Sequence, residues 1–290
     1  MGRLIRPDPY VSLVNRSRGG CRNNTRMSPI VTAPLTLLGR GAARQIARLV
    51  PFDGSGLRVL MWHSVSIDHA DRGTVDLRRF ERQLQWLCDN RYHVLPFAEV
   101  LRRHTSGDPL PAHAVVLTFD DACLSFPRLA LPALRRAGFS ATVLVPVAAV
   151  TGRDEVSSGA RGHMSIRDLE SLPREIDIGL HSYRHRDYRQ MNATQIADDV
   201  RACARLGQQL SRAVLPIFAY PFGGVPRDQQ VVGSMCHTFA AHGVEFGLRI
   251  GYGINPWPLR DPWRVRRIAV HGTDSMLRFA CKVTLGRVRL

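Results

Sequence analysis

Short apolar runs rich in β-branched residues recur along the chain, and amphipathic segments separate them. Such runs, bounded by turn residues, are typical of buried strands. The predicted strands cover residues 57–62, 92–95, 115–119, 141–147, 176–180, 217–219, 246–250 and 265–270. The pattern therefore predicts a sheet that is covered on both faces.

The segments between these runs carry helix signals. Apolar residues between 77 and 87 recur at three- and four-residue intervals, which places them on one face of a helix. Ser165 and Asn192 each begin a run that resembles a capping box. Further helices are predicted over residues 97–103, 127–137, 165–172, 192–210 and 226–242.

Strand and helix thus alternate about seven times, which indicates parallel strands with crossover helices, in a barrel or a doubly wound sheet. In a (β/α) barrel the C-terminal ends of the strands share one mouth, where the chemistry lies. Several polar residues directly follow predicted strands. They are His63, Asp120, Asp121, His181, Tyr220, Pro221 and His271. Their placement favours a barrel with one shared mouth.

The adjacent carboxylates Asp120 and Asp121 end a buried strand. Like charges in such a place require a compensating cation or a shared proton, although the pair taken alone also fits a simple turn. His181 and His185 follow another strand, and their spacing predicts two imidazoles on one helical turn. One carboxylate and two imidazoles suit Zn²⁺, Co²⁺ or Ni²⁺, with room for water.

Length, charge and cysteine content limit the possible domain organisation, partners and disulfide content of the chain. A chain of 290 residues can hold one large domain with a substantial core, plus a tail. The net charge is +16, but Lys282 is the only lysine among the 40 basic residues, a bias that fits codon usage in a GC-rich genome. We find no nucleic-acid-binding signature and expect no nucleic-acid partner. The six scattered cysteines indicate reduced thiols rather than a disulfide framework.

Residues 1–50 form a separate basic segment with nine arginines and one aspartate. Residues 1–26 lack periodicity and are predicted to be disordered. Residues 35–50 fit an amphipathic helix, which either contacts an anionic membrane surface or packs on the main domain. We recognise no clear signal peptide, and we expect a cytoplasmic protein or one at the inner face of the membrane.

Three runs, in this order and spacing, resemble the first three motifs of the polysaccharide deacetylases that share the NodB homology domain. They are Leu117-Thr118-Phe119-Asp120-Asp121, His181-Ser182-Tyr183-Arg184-His185 and Phe218-Ala219-Tyr220-Pro221-Phe222-Gly223. Met61-Trp62-His63-Ser64-Val65 is similar to the opening strand of one branch. The resemblance implies a distorted, incomplete (β/α) barrel of about seven strands over residues 57–290.

The resemblance also implies roles for individual residues. Asp121, His181 and His185 would hold one divalent metal ion, with Zn²⁺ as the first choice and Co²⁺ or Ni²⁺ as alternatives. Asp120 would be the general base for a metal-activated water that attacks an N-acetyl, or an O-acetyl, group of a glycan. We expect Ser182 to orient the histidine turn through a backbone hydrogen bond. Tyr220, Pro221, Phe222 and Gly223 would wall the substrate groove, and a backbone N–H there would hold the oxyanion; a buried aromatic turn is the alternative.

Two positions depart from the family pattern. Ala219 stands where many members carry the arginine that orients the catalytic aspartate. No clean counterpart of the C-terminal Leu-x-His is found, so His271 and His63 are both candidates for the general acid. Arg264, Arg266 and Arg267 could contact Asp120, but in so arginine-rich a chain we expect each of them on a solvated face.

Two alternatives stay open, the first because of these departures and the second because of the basic segment at residues 1–50. One is a carbohydrate-binding protein on a catalytically degenerate scaffold. The other is a membrane- or nucleic-acid-associated adaptor that acts through residues 1–50. An intact set of three metal ligands argues against the first alternative.

Overall fold

The computed structural model describes residues 55–152 and 162–287. These residues contain nearly all of the predicted domain at 57–290. The predicted disorder and amphipathic helix of residues 1–50 lie outside the described residues, as do residues 153–161.

The strands within the described ranges build a parallel sheet that closes on itself. They are β1 (Arg58–Trp62), β2 (Ser64–Ser66), β3 (Thr74–Asp76), β4 (His93–Val94), β5 (Ala114–Phe119), β6 (Ala141–Val145), β7 (Ile176–Leu180), β8 (Ile217–Ala219), β9 (Phe246–Ile250) and β10 (Val265–Ala269). Neighbours in the ring follow the order β1, β10, β9, β8, β7, β6 and β5. β5 then pairs with β1, from Arg58 opposite Val115 to Trp62 opposite Phe119. The predicted (β/α) barrel of about seven strands is confirmed.

The ring is irregular. β4 pairs with only the first two residues of β5, and β6 pairs with its last two. A single residue pair, Leu180 opposite Phe218, joins β7 to β8. The barrel is therefore distorted, as the resemblance implies. β2 and β3 form a separate parallel pair beside it.

Helices connect the strands. They are α1 (Leu77–Asp89), α2 (Phe97–Ser106), α3 (Leu131–Ala137), α4 (Val147–Val150), α5 (Ile166–Glu170), α6 (Ala193–Cys203), α7 (Arg205–Gln209), α8 (Gln229–Ala241) and α9 (Met276–Leu285). Both predicted capping boxes are present, at Ser165 and Asn192. α8 begins at Gln229 because Asp228 accepts hydrogen bonds from two first-turn amides. The helix predicted over residues 192–210 is two helices that meet at Ala204.

Alternate residues of each strand enter different parts of the core. Val115, Leu117 and Phe119 of β5 belong to the cluster that contains most of the buried helix side chains. Ala114 and Val116 belong to a second cluster together with alternate residues of β1 and β8. Because side chains of a strand alternate between its two faces, the second cluster fills the inside of the barrel. Thr118 and Asp120 continue the inward series towards the mouth.

Elements that the sequence pattern did not predict include β2, β3 and α9. Among residues 55–152 and 162–287, no helix has both the length and the apolar character that crossing a bilayer requires.

The single lysine of the chain takes part in a buried ion pair on α9. Lys282 Nζ donates to Asp274 Oδ2 at 2.5 Å and to the carbonyl oxygen of Ala269 at 2.8 Å. Both charged residues are buried. Asp274 also accepts from the backbone N–H of His271 at 2.8 Å. The pair therefore anchors α9 to the end of β10, beside the mouth.

We expect Asp274→Ala to lower the free energy of unfolding by about 3–5 kcal/mol, because it leaves a buried ammonium without its carboxylate. Urea denaturation would measure the loss. Asp198→Ala, which removes an exposed carboxylate paired with Arg201, should change the free energy of unfolding by no more than about 0.5 kcal/mol. The double variant Asp274→Ala/Lys282→Met should recover much of the loss; equal losses in the single and double variants would contradict this role of the ion pair.

Candidate active site

The ends of two strands of the barrel bring together one carboxylate and two imidazoles, the kinds of side chain that bind metal ions. Asp121 lies just past the end of β5, and His181 and His185 follow β7. His181 Nε2 and His185 Nε2 are 3.1 Å apart. Asp121 Oδ1 lies 3.6 Å from the first nitrogen and 3.4 Å from the second. The three ligand atoms therefore converge on one point.

The surroundings of the two imidazoles favour metal ligation. His181 Nδ1 donates to the carbonyl oxygen of Ala219 at 2.8 Å, which leaves Nε2 as the ring nitrogen that faces the site. Burial lowers the pKa of His185 to about 4, and His185 is therefore neutral near pH 7. Asp121 Oδ1 is buried and has no hydrogen-bond partner among the described residues. Three acceptor atoms this close fit a bound cation, and the donor set suits Zn²⁺, Co²⁺ or Ni²⁺.

The backbone around these ligands adopts conformations that side chains disfavour. Asp121, Ala122, Ser182 and His185 have φ angles of 68°, 47°, 62° and 53°. The segment from His181 to His185 is therefore not the helical turn that the four-residue spacing suggested, and that prediction is wrong. The left-handed residues fold the chain back so that both rings face one point. The expected bond from Ser182 is confirmed, since its Oγ accepts from the N–H of His185 at 2.7 Å.

Asp120 faces a different partner. Arg267 Nη1 donates to Asp120 Oδ1 at 2.5 Å, and Nη2 donates to Oδ2 at 2.9 Å. Burial alone would raise the pKa of Asp120, but the charges of Arg267 and His181 outweigh it and hold the pKa well below its usual range. Asp120 is therefore a buried carboxylate that stays ionised.

Arg267 corrects the expectation of a solvated face. Its side chain is fully buried, because position 267 continues the inward series of β10 that includes Val265. Arg266, one residue earlier, is exposed, and Arg264 lies 4.0 Å from the exposed Asp261. Arg267 thus supplies from β10 the guanidinium that is missing at Ala219. The signal available in the sequence was the position of residue 267, two residues after the apolar Val265 in a predicted strand.

The two candidate acids occupy different surroundings. His63 follows β1 and is partly buried. Its neighbour Trp62 pairs with Phe119, and the N–H of Asp120 donates to the carbonyl oxygen of Trp62 at 2.9 Å, so His63 and Asp120 follow adjacent strands at the same level of the barrel. His271 Nδ1 donates to the carbonyl oxygen of Arg72 at 3.1 Å, and its Nε2 lies 3.5 Å from the hydroxyl of Tyr252. Among the described residues, the hydrogen bonds of His271 involve none of Asp121, His181 and His185.

The run from Tyr220 to Gly223 divides between core and mouth. Tyr220 is completely buried, and its hydroxyl donates to the carbonyl oxygen of Trp263 at 3.0 Å. Its side chain is therefore not on the groove surface, because it packs among the aromatic residues of the core. Pro221 is buried as well. Phe222 is 59% exposed, and its ring lies edge-on to that of His185 at 4.9 Å.

An open cleft of about 550 Å³ extends from this edge of the site. Its lining includes His185, Phe222, Arg186, Gln190 and Met191. The cleft mixes an exposed aromatic ring with polar and charged groups, a combination that suits a hydroxyl-rich ligand.

His163, which no sequence motif singled out, contacts the backbone of Asp121. Its Nδ1 donates to the carbonyl oxygen of Asp121 at 2.7 Å. The neighbouring Met164 N–H donates to the carbonyl oxygen of Ala122 at 2.7 Å. These bonds hold Asp121 and Ala122 in their left-handed backbone conformation. No spacing motif in the sequence predicts them.

Comparison with known families locates this site within a recognised sequence pattern. The sequence profile described as polysaccharide deacetylase matches residues 107–240. The matched segment contains Asp120, Asp121, His181 and His185, whereas Arg267 lies outside it.

Two characterised or named relatives match parts of the chain. A stretch of 87 residues is 36% identical to the poly-β-1,6-N-acetyl-D-glucosamine N-deacetylase of Escherichia coli, and it covers 29% of this chain and 13% of that protein. A stretch of 168 residues is 26% identical to Bacillus subtilis YxkH, which is named for polysaccharide deacetylation, and it covers 58% of this chain and 57% of that protein. The chain thus spans less than two thirds of the length of either relative.

Solved structures share the fold. IcaB from Ammonifex degensii superposes with a TM-score of 0.66 at 21% identity, covering 79% of this chain and 97% of the other. The Streptococcus pyogenes deacetylase PplD, solved with acetate, superposes with a TM-score of 0.64 at 20% identity, covering 79% and 98%. At this level of identity the two likenesses establish a common barrel.

We expect Arg267→Met to destabilise the protein in a pH-dependent way. In the wild type the pKa of Asp120 is depressed, so the ion pair contributes stability above the unfolded pKa of about 4 and loses it at lower pH. In the variant, burial without the guanidinium raises the pKa of Asp120, so the folded state loses stability as the pH rises. The deficit in free energy of unfolding should therefore grow with pH, to about 3–5 kcal/mol at pH 8.

Urea denaturation of both proteins between pH 5 and pH 8 would measure this deficit. Arg266→Met, which removes the exposed neighbour, is the matched control and should show a small deficit that does not depend on pH. A constant deficit for Arg267→Met across the range would contradict an ionised Asp120 held by Arg267.

Proposed function

We propose that this chain is a polysaccharide deacetylase, as the profile match over residues 107–240 supports, and that it is a metal-dependent hydrolase that removes acetyl groups from a glycan. The observation that carries the proposal is the convergence of Asp121, His181 and His185 beside an ionised Asp120. In the proposed reaction water cleaves the C–N bond of an N-acetyl group. The products are acetate and a free amine on the sugar.

Different residues would hold the metal ion, accept the proton and orient the general base. Asp121, His181 and His185 would hold the ion, since their three acceptor atoms already face one point. A divalent ion bound there would polarise the acetyl carbonyl and lower the pKa of the attacking water. Asp120 accepts the proton of that water. Arg267 keeps Asp120 ionised and fixes the direction of its two oxygens, because both of them accept from one planar guanidinium.

We assign the general acid to His63. The leaving amine must gain a proton when the C–N bond breaks, and a group near both Asp120 and His185 can reach it. The position of His63 at the end of β1, beside the end of β5 that carries Asp120, supports this choice over His271. His271 instead hydrogen-bonds to Arg72 at the rim of the mouth.

Of the four residues from Tyr220 to Gly223 that were predicted to line the groove, we propose Phe222 as the one whose side chain contacts the substrate. Its exposed ring offers a face or edge to a pyranose beside His185. The N–H groups of Tyr220 and Gly223 already donate to carbonyl oxygens within the protein. The N–H of Phe222 is therefore our candidate for the oxyanion contact.

We propose a polymer of N-acetylated hexosamine as the substrate class. The Escherichia coli relative acts, by its name, on poly-β-1,6-N-acetyl-D-glucosamine, and the aligned stretch supports the same linkage here. The degenerate-scaffold alternative was motivated by the missing arginine and by the uncertain general acid. Arg267 supplies that charge from another strand, so we do not pursue a second function.

Acetate release tests the proposal. Protein stripped with chelator and then given Zn²⁺, Co²⁺ or Ni²⁺ is assayed on β-1,6-linked N-acetylglucosamine oligomers, chitooligosaccharides and an O-acetylated sugar. We expect release to return with metal on the first class. Asp121→Ala should bind metal weakly and stay inactive, whereas Asp120→Asn should retain metal but lose about 10²–10⁴-fold in rate, because it lacks the general base. Release that persists in excess chelator, or in Asp120→Asn, would contradict the mechanism.

A second prediction separates the two candidate acids. We expect His63→Ala to lower the rate on an N-acetyl substrate by about 10²–10⁴-fold, and to lower it far less on 4-nitrophenyl acetate, whose leaving group needs no proton. His271→Ala is the matched control and should affect both substrates alike. The opposite pattern, with the substrate-dependent loss in His271→Ala, would exchange the two assignments.

A further inference from the structure

The segment between the two histidine ligands is held by a residue far along the chain. Asp199 lies on α6 and is 8% exposed. Its Oδ2 accepts from the N–H of Tyr183 at 2.9 Å, and its Oδ1 lies 3.4 Å from the N–H of Arg184. Both amides belong to the turn that joins His181 to His185. One buried carboxylate therefore binds two of the three amides that lie between the two histidines.

Two further donors reach the same carboxylate. The hydroxyl of Tyr188 donates to Oδ2 at 2.9 Å, and the thiol of Cys203 lies 3.9 Å from the same oxygen. Tyr188 and Cys203 are completely buried. Every recorded contact of Asp199 is thus with a donor, which is the arrangement that an ionised carboxylate requires in a protein interior.

The opposite side of the turn is fixed by backbone bonds. The N–H of Val147 donates to the carbonyl oxygen of Ser182 at 3.1 Å, and the N–H of Ala148 donates to that of Tyr183 at 2.9 Å. α4 thus holds the carbonyl groups of the turn while Asp199 holds its amide groups. Between these supports the chain keeps the left-handed angles at Ser182 and His185, which cost about 1–3 kcal/mol each when unsupported.

We propose that Asp199 is a positioning residue for metal binding, which acts by holding the Tyr183–Arg184 amides so that the two imidazoles converge. The inference rests on the proposed metal site. It assigns to Asp199 a role beyond stability: without it the turn relaxes, Nε2 of His185 moves away from Nε2 of His181, and the affinity for the ion falls.

Asp199→Asn is the informative change because it keeps the size of the side chain. Both oxygens of the carboxylate accept hydrogen bonds, but the amide of asparagine has one acceptor oxygen and one NH₂ donor group. In the variant the NH₂ group therefore faces an N–H or O–H donor and cannot accept a hydrogen bond from it. At least one support of the turn is lost. We expect the dissociation constant for Zn²⁺, measured by competition with a chromogenic chelator, to rise about 10–100-fold, as for other partners that orient metal ligands. The visible spectrum of the Co²⁺ form should change too, because it reports ligand geometry.

Asp198→Asn is the matched control. Asp198 precedes Asp199 on the same helix, but its side chain is exposed and pairs with Arg201. This variant should bind Zn²⁺ and Co²⁺ as the wild type does. Thermal unfolding of the metal-free proteins, followed by circular dichroism, gives the folded fraction to which each dissociation constant refers.

The Zn²⁺ affinity of the variants separates a positioning role of Asp199 from a purely structural one. A folded Asp199→Asn protein with wild-type affinity and an unchanged Co²⁺ spectrum would reduce Asp199 to a structural residue and overturn the inference. Should Asp199→Asn fail to fold, Tyr188→Phe decides, since it removes one donor and no backbone contact: about threefold weaker Zn²⁺ binding supports the inference, and unchanged binding overturns it. Absence of Zn²⁺ binding by the wild type would instead refute the proposed function itself.

Discussion

The buried ion pair between Asp120 and Arg267 is the constraint on which the mouth of this barrel depends. A carboxylate at the inner end of β5 is surrounded by apolar strands, where an unpaired charge is very costly. Arg267 reaches it from β10, on the far side of β1 in the ring. The pair therefore ties the two strands that flank β1. It also frees Asp121, the second carboxylate, to face the histidines rather than compete for the same cation.

Much of this arrangement follows from the sequence pattern. The strand positions were predictable because buried parallel strands are short, apolar and bounded by turn residues. The convergence of Asp121, His181 and His185 was predictable because the C-terminal ends of barrel strands share one mouth. The partner of Asp120 was not, because Arg267 lies 147 residues away and is one arginine among many. Only closure of the ring brings β10 next to β1 and gives position 267 an inward direction.

Other misjudged features have local causes. Spacing of four residues between His181 and His185 suggested a helix, but the same spacing also fits a turn with left-handed residues, which no periodicity reveals. Tyr220 was expected in the groove because its run matches a motif as a whole. The structure splits that run, since Tyr220 follows β8 into the core and a φ of 57° at Phe222 turns the next aromatic ring outwards.

The left-handed residues also explain why the site needs so much support from outside the matched motifs. Asp121 and Ala122 are held by the segment around His163, while Ser182 and His185 lie in a turn held by α4 and α6. Strained backbone persists only where surrounding bonds over-determine it. The two halves of the ligand set are thus supported by different elements, and the base by a third, Arg267. Loss of one support should therefore weaken one function of the site, metal binding or proton transfer, and leave the other in place.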